Sequence, residues 1–534
     1  MTTSTNKSSR LIEFLPGGSP LRSGQFVIMW MALMSSGMAV WMQNVGAATL
    51  MVRFSPSPLM VALIQTATSL PFFLLSLPAG ALADMVGHRR MLVWTYGWML
   101  LCAAGLTVVL ELEAGGPMVL LTFTFLIGVG TSLATPAALT SISESVPRAA
   151  LSAAIALNNI GYNSVRAVGP AIAGIVLALF GVTAVFIAVT TLCLAAFTLC
   201  LFMPRCKVVS EAPREPLLSA MRTGFQFVRH SVLLPGLLLR VLTFVGGASA
   251  LWALLPVVAG RLPDHDSGTY GVLLGCIGGG AVLGGLFFAK MKEHLSAERV
   301  IALSCVLFGM ASVTIGFTSN TFTMCAVLVL AGIGWTQFTV TMSSNYQSTL
   351  PPWIKGRALA LFILVFQGSL ALGSTFWGWI ASVWGVYPTL CSAALIIVCG
   401  SLLARRHPLG SMDDREFTLA SPKPDTTYVC GIEPSGKPVS IHHTYTVDPA
   451  YVDDFTLAIN SVGRSWRRKG VRSWTLSRDL SEPTRFVERI CVDSWADYLR
   501  QRSRATIADQ RRDDAVRRTL IKGTPVTTHH LQAE

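Results

Sequence analysis

Gly80-Ala-Leu-Ala-Asp84-Met-Val-Gly87-His88-Arg89-Arg90 is a charged turn at the junction of two apolar runs, residues 59–82 and 91–111. Each run has the roughly 20 residues needed to cross a bilayer. A polar turn between two such runs lies at a membrane surface, and its cations favour the cytoplasmic side. Gly80 permits close helix approach, and Asp84 can pair with a cation or a neighbouring helix terminus. Arg89 and Arg90 hold the turn at the surface.

Outward from this turn the pattern repeats. Apolar runs are expected to span the membrane at 24–46, 59–82, 91–111, 117–140, 150–178, 181–203, 233–259, 269–289, 299–317, 322–345, 357–381 and 385–403, twelve in all. The composition agrees: of 534 residues, 52% are hydrophobic and 13% charged, with a mean hydropathy of +0.56. Of the 41 Lys and Arg, 20 fall in residues 1–403 and 21 in the last 131 residues. A nearly charge-free front thus precedes a tail that reads as soluble protein. The net charge of +13 does not point to nucleic acid, because the front-end cations sit in short gaps between apolar runs. With the N-terminus inside, sixteen Lys and Arg occupy inner segments, and only Arg53 and Arg261 lie outside. Both termini are therefore expected to be cytoplasmic, in a multi-pass protein of the plasma (inner) membrane. Eleven cysteines show no CxxC spacing, so no metal or other cofactor is expected.

A shift of 204 positions superposes Gly80 on Gly284, Gly128 on Gly332, Gly130 on Gly334, Pro147 on Pro351, Gly169 on Gly373, Gly174 on Gly378 and Gly181 on Gly385. Seven matches at one ungapped offset indicate a duplicated six-helix unit. The expected organisation is a cytoplasmic N-terminal segment (1–23), a six-helix bundle (24–203), an inter-half loop (204–232), a second six-helix bundle (233–403), a linker (404–437) and a C-terminal domain (438–534). Within the inter-half loop, residues 215–229 place Leu218, Met221, Phe225 and Val228 at helical spacing, which suggests an amphipathic helix on the inner membrane surface.

The turn at 80–90 resembles the signature loop of the major facilitator superfamily, glycine-x-x-x-aspartate-x-x-glycine followed by basic residues. The resemblance covers residues 24–403. Trp41-Met42-Gln43, Leu77-Pro78-Ala79-Gly80, Arg166-Ala-Val-Gly169-Pro170, Leu251-Trp252-Ala-Leu-Leu-Pro256 and Lys355-Gly356-Arg357-Ala358-Leu359-Ala360 are similar to the drug and siderophore exporters of the transmembrane secretion effector type. This resemblance implies an antiporter in which proton flow drives efflux, with Gly80, Asp84, Gly87, Arg89 and Arg90 as a conformational-switch loop. No Asp, Glu, Lys or His falls near the middle of any expected span, so the residues themselves do not identify a proton carrier.

Gly169-Pro170-Ala-Ile-Ala173-Gly174 resembles the family's antiporter signature, with Ala173 in place of one glycine. Pro170 removes a backbone hydrogen bond, so this helix can bend there. On the same helix Asn159, Asn163 and Arg166 share one face. Amides and an arginine within spans need water or partners, and a central cavity supplies both. The expected lining of a small-molecule cavity is Gln43, Asn159, Asn163, Arg166, Trp252 and Gln367, with Arg166 favouring an anionic or acceptor-rich substrate.

The tail alternates differently. Residues 439–447 read as a strand, Pro449 opens a helix burying Tyr451, Phe455, Ile459, Val462 and Trp466, and strands at 471–478 and 484–492, a helix at 494–507 and a strand near 525–531 follow. The βαββαβ order suggests an α+β ferredoxin-like domain. Tyr445, Trp474, Phe486 and the run 488–495 resemble dimeric α/β-barrel domains related to small monooxygenases, which implies a homodimer through this domain. No nucleophile–base or metal-ligand spacing occurs, so the chain reads as a transporter and not an enzyme. Alternatives are an importer of the same fold, or a membrane-bound enzyme or sensor using the C-terminal domain.

Overall fold

A computed structural model describes residues 20–147, 150–203, 217–231, 233–262, 268–351, 354–402, 438–503, 505–521 and 525–531. The expected N-terminal segment, apart from its last four residues, and the linker 404–437 lie outside the described residues. The helices are α1 (Gly24–Phe54), α2 (Pro58–Val86), α3 (His88–Glu111), α4 (Pro117–Glu144), α5 (Leu151–Leu201), α6 (Leu217–His230), α7 (Leu234–Ala259), α8 (Thr269–His294), α9 (Ala297–Phe317), α10 (Thr321–Ser348), α11 (Lys355–Trp384) and α12 (Val386–Ser401). Local chemistry sets several of their starts. Ser23 and Ser296 cap α1 and α9 with their hydroxyls, while Pro58 and Pro117 occupy first-turn positions that need no amide donor.

Among the described residues, ten helices are long and apolar enough to cross a membrane. Two expected spans, 150–178 and 181–203, form the single 51-residue α5, broken at Gly181 with φ 83° and ψ 179°. The break between α11 and α12 falls at Gly385, with φ 87° and ψ 168°. These two glycines are partners in the 204-residue repeat and hold nearly the same left-handed conformation, which a side chain would strain. The expected bend at Pro170 is not where α5 leaves helical geometry; that occurs eleven residues on, at Gly181.

The repeat extends to contacts. Gly169 packs on Trp41 of α1, and its repeat partner Gly373 packs on Gly246 and Ser249 of α7. Gly128 lies against Ala67, Thr68 and Pro71 of α2, while Gly332 lies against Ile277 and Ala281 of α8. Across the halves, Gly174 of α5 meets Gly268 and Gly271 at the start of α8, and Gly378 of α11 meets Leu59 and Ala62 of α2. Missing side chains let these backbones touch, the usual way helices associate in lipid. Thr66 Oγ1 donates across the second crossing to Ala371 O at 3.1 Å.

The chain divides into two compact units. The first holds α1–α5 and most of α7–α12; the second holds α6, residues 344–361 and the C-terminal domain. That domain contains β1 (Val439–Thr446), α13 (Val452–Lys469), β2 (Ser473–Arg478), β3 (Arg485–Val492), α14 (Trp495–Ser503), α15 (Ile507–Arg517) and β4 (Val526–Leu531). Its antiparallel sheet has the order β2-β3-β1-β4, with Tyr445 opposite Phe486 and Ile441 opposite Ile490. Strand alternation puts Ile441, Tyr445, Trp474, Phe486 and Ile490 on one face, where Phe455, Ile459 and Val462 of α13 complete the core. The expected helix 494–507 is α14, which ends at Ser503, and a further helix, α15, follows it where Thr506 and Asp509 form a capping box. Tyr451, expected inside, ends a short 3-10 turn before α13 and is 49% exposed.

Within the same unit α6 packs on α13. Phe227 and Val228 are buried, whereas Phe225, expected on the apolar side, is 54% exposed. The side chains of Leu218 and Met221 lie outside the description.

Candidate functional site

Arg166 projects from α5 in the first half over two indoles of the second half. Its guanidinium carbon is 5.9 Å from the ring centres of both Trp252 on α7 and Trp335 on α10. Cations are attracted to the negative faces of such rings. Trp252 and Trp335 meet edge to face at 5.3 Å, Trp41 of α1 lies 6.5 Å from Trp252, and Phe366 of α11 lies 5.8 Å from Trp335. Below Trp335, Phe244 and Phe338 stack at 3.7 Å. Arg166 Nη2 and Trp252 Nε1 are buried, and neither has a hydrogen-bond partner among the described residues. Two unspent donors on an aromatic surface suit a ligand that brings acceptors.

The other expected cavity residues are placed as follows. Asn163 Nδ2 donates to Asn159 O one turn back at 2.9 Å, so that amide is engaged by its own helix, and Asn159 is exposed. Gln43 is 2% exposed, and both amide atoms lack partners among the described residues. It follows Trp41 by two positions, about 200° around α1, and so faces away from the Trp41–Trp252 contact. Gln367 is half-buried beside Phe366. Trp335 was not among the expected cavity residues. Its span mixes apolar residues with Thr336, Gln337, Thr339 and Thr341 at no helical period, so periodicity singles out no face.

At the turn between α2 and α3, Gly87 has φ 90°, a conformation open to glycine. Arg89 caps the end of α5, donating from Nε to Met203 O at 2.6 Å and from Nη2 to Leu201 O at 2.7 Å. Those carbonyls are the negative end of the helix. His88 Nδ1 lies 3.2 Å from Glu144 Oε2 at the end of α4, and Arg90 is exposed. The Asp84 side chain lies outside the description. Gly80 does not make the expected close approach here: a methyl group on it would meet nothing within 4 Å.

A further charge pair joins α7 to α9. Arg240, 3% exposed, makes a bidentate pair with Glu298, Nη1 to Oε2 at 2.9 Å and Nη2 to Oε1 at 3.0 Å. Glu298 sits in the first turn of α9, where the helix dipole also favours an anion. It escaped the sequence reading because it lies just outside an apolar run.

In the C-terminal domain, Glu488 is 1% exposed and accepts from Tyr445 Oη at 2.7 Å and Trp474 Nε1 at 2.6 Å. Burial pushes its carboxyl above the usual range, and those two hydrogen bonds only partly oppose this. The opposite sheet face carries Ser440, His442, Arg489, Cys491 and His530. The His442 and His530 rings are 4.5 Å apart. Burial, His530 and Arg489 together hold the His442 imidazole below its usual range. No group of three or more potential metal ligands occurs among the described residues.

Duplicated helix bundles meeting across small-residue crossings, with a buried cation where they join, define a membrane transporter of the major facilitator type. A family model described as transmembrane secretion effector matches residues 16–534, and the chain belongs to that family. It is 23% identical over 365 residues to the staphyloferrin A transporter of Staphylococcus aureus, covering 67% of this chain and 90% of the relative. To the multidrug efflux pump Tap of Mycobacterium tuberculosis it is 24% identical over 365 residues, covering 65% and 84%. Among solved structures, the nucleoside transporter NupG shares the fold with a TM-score of 0.59 at 11% identity, covering 72% of this chain and 99% of that one. A bacterial homologue of the lysosomal transporter Spinster gives 0.56 at 16% identity, covering 74% and 98%.

Proposed function

We propose that this protein exports a small molecule across the plasma membrane by alternating access, with both termini cytoplasmic. The observation that carries the reading is Arg166, a cation of the first half resting on Trp252 and Trp335 of the second. A ligand bound there touches both halves, as coupling their motion to binding requires. The proposed cavity takes Arg166 and Trp252 as its centre, with Asn159, Asn163 and Gln367 toward its margins and Gln43 on the far side of α1. Splitting α5 at Gly181 and adding the short α12 makes twelve spans in two sets of six. The α5–α8 crossing runs from Gly174 to Ala167, whereas farther along Ile155, Ile160, Leu286 and Phe287 are exposed. That pattern fits halves closed at the outer end and open at the inner one. The loop 80–90 then closes in the opposite state, where Gly80 would gain its helix contact and Asp84 its partner.

Efflux driven by proton antiport is the expected mode, with names such as staphyloferrin A transporter and multidrug efflux pump among the relatives supporting export. The C-terminal domain, with its four-stranded antiparallel sheet in the order β2-β3-β1-β4, is assigned a ferredoxin-like fold that pairs with a second copy through the sheet face bearing His442 and Arg489. The test is uptake of a panel of fluorescent small molecules into inside-out vesicles, with and without an acidic interior. Accumulation that collapses with the pH gradient supports proton-driven export. Accumulation only in right-side-out vesicles would reverse the direction.

A further inference from the structure

The helix that joins the two six-helix halves is held by the C-terminal domain. Helix α6 packs on α13, with Phe227 2% exposed and Val228 6% exposed. The Arg468 guanidinium of α13 lies 5.8 Å from the centre of the Phe227 ring. On another side, Gly224 of α6 fits closely against Arg357 at the start of α11, where a methyl group would come 3.1 Å from Arg357 Cβ. Around that point Ile354 and Ala358 are fully buried, and Tyr346 Oη donates to Ala358 O at 2.8 Å. Helix α6, residues 344–361 and the C-terminal domain thus form one compact unit.

We propose that the C-terminal domain regulates transport by gripping α6, which lies in the chain segment connecting the halves. The proposal rests on the two-half transporter reading above. With 14 residues, α6 is too short to be stable in isolation, so it needs the surface on which it docks. Residues 204–233 are the connection that must accommodate any rocking of one half against the other. While Phe227 and Val228 are docked, α6 is held on α13 and restrains the connection. Once α6 is undocked that restraint is lost, and the balance between inward-open and outward-open states shifts. Whatever stabilises or distorts the domain is thereby transmitted to the membrane helices without touching the transport site.

The experiment uses the full chain in lipid nanodiscs, with a protease site placed in the linker 404–437. Fluorophores are introduced through unnatural amino acids at Ile155 of α5 and Leu286 of α8, which are 48% and 72% exposed. After cleavage, the domain of the parent chain should stay bound through α6 on size-exclusion chromatography, with an unchanged distance distribution between the fluorophores. In the Phe227→Ala/Arg468→Ala variant, cleavage should release the domain and shift the ratio of the two distance populations about threefold or more. Phe227→Leu, which keeps an apolar contact, should behave like the parent. Unaltered tryptophan fluorescence before cleavage shows that each variant folds. Release of the parent domain on cleavage, or its release from the variant with no change in distances, would overturn the proposal. A single distance under every condition, changes of bulk pH included, would remove alternating access itself and the proposal with it.

Discussion

Arg166 and Arg240 both lie inside apolar spans, and their partners assign them different work. Arg240 has a carboxylate clamped in bidentate geometry, whereas Arg166 faces indoles and keeps a donor unspent. Arg166→Ala is therefore expected to leave the fold intact and reduce transport of an anionic fluorescent probe by roughly tenfold or more, since a hydrogen bond from a charged donor to the ligand is worth about 1.5–3 kcal/mol. Vesicle flux beside a thermal melt checks this. Glu298→Gln should instead lower thermal stability, by about 1–3 kcal/mol. That is less than the 3–5 kcal/mol of a fully buried pair, because the Glu298 side chain is 32% exposed. In the C-terminal domain, Glu488 carries its proton to higher pH when folded than when unfolded. Its contribution is thus full below the unfolded value, about 4.3, and declines as pH rises through the folded one. Asp509 works the other way. Burial would raise its carboxyl, but Lys469 at 2.9 Å and hydrogen bonds from Ser465 and Thr506 hold it low, so its stabilisation is lost as pH falls below about 4. Glu488→Gln should flatten the alkaline-side decline in domain melting while leaving the acid limb, as read by thermal melts from pH 3 to 8.

Element by element, the small-residue crossings decide where helices can move. Gly174 of α5 and Gly271 of α8 are backbone to backbone, so a valine at either must push the two halves apart at that end. Gly271→Val is expected to depress transport strongly and to expose Ala167 to thiol reagents when that residue is replaced by cysteine. Gly80→Val meets open space in this conformation and should be harmless to folding, yet it should slow transport if the loop closes in the opposite state. A Gly80→Val protein with unaltered flux would mean that the inner ends of the helices never close on this glycine.

For the whole molecule the expectation is topological. Single cysteines at Ala114 and Ile521, both on exposed surface, should label from opposite sides: Ala114 in intact cells, Ile521 only after permeabilisation. External labelling of Ile521 would contradict the proposed twelve spans and the proposed cytoplasmic C-terminus.

Membrane residence was legible in the chain because apolar run length reports bilayer thickness. Glycines recurring after 204 residues marked a repeat, and the structure adds that one such pair, Gly181 and Gly385, has a positive φ that side chains disfavour. The same reading missed contacts that depend on direction around a helix. Nothing in the apolar run 322–345 marks Trp335 as the residue beneath Arg166, nor shows that Gln43 turns away from Trp41. Helices surrounded by lipid on one side and protein on the other can be apolar all round, so periodicity does not reveal their inner face. The pairing of Arg240 with Glu298, and the docking of α6 through Phe227 on α13, join residues 58 and about 240 positions apart. Only tertiary packing brings such residues together, since their meeting depends on the path of every helix between them.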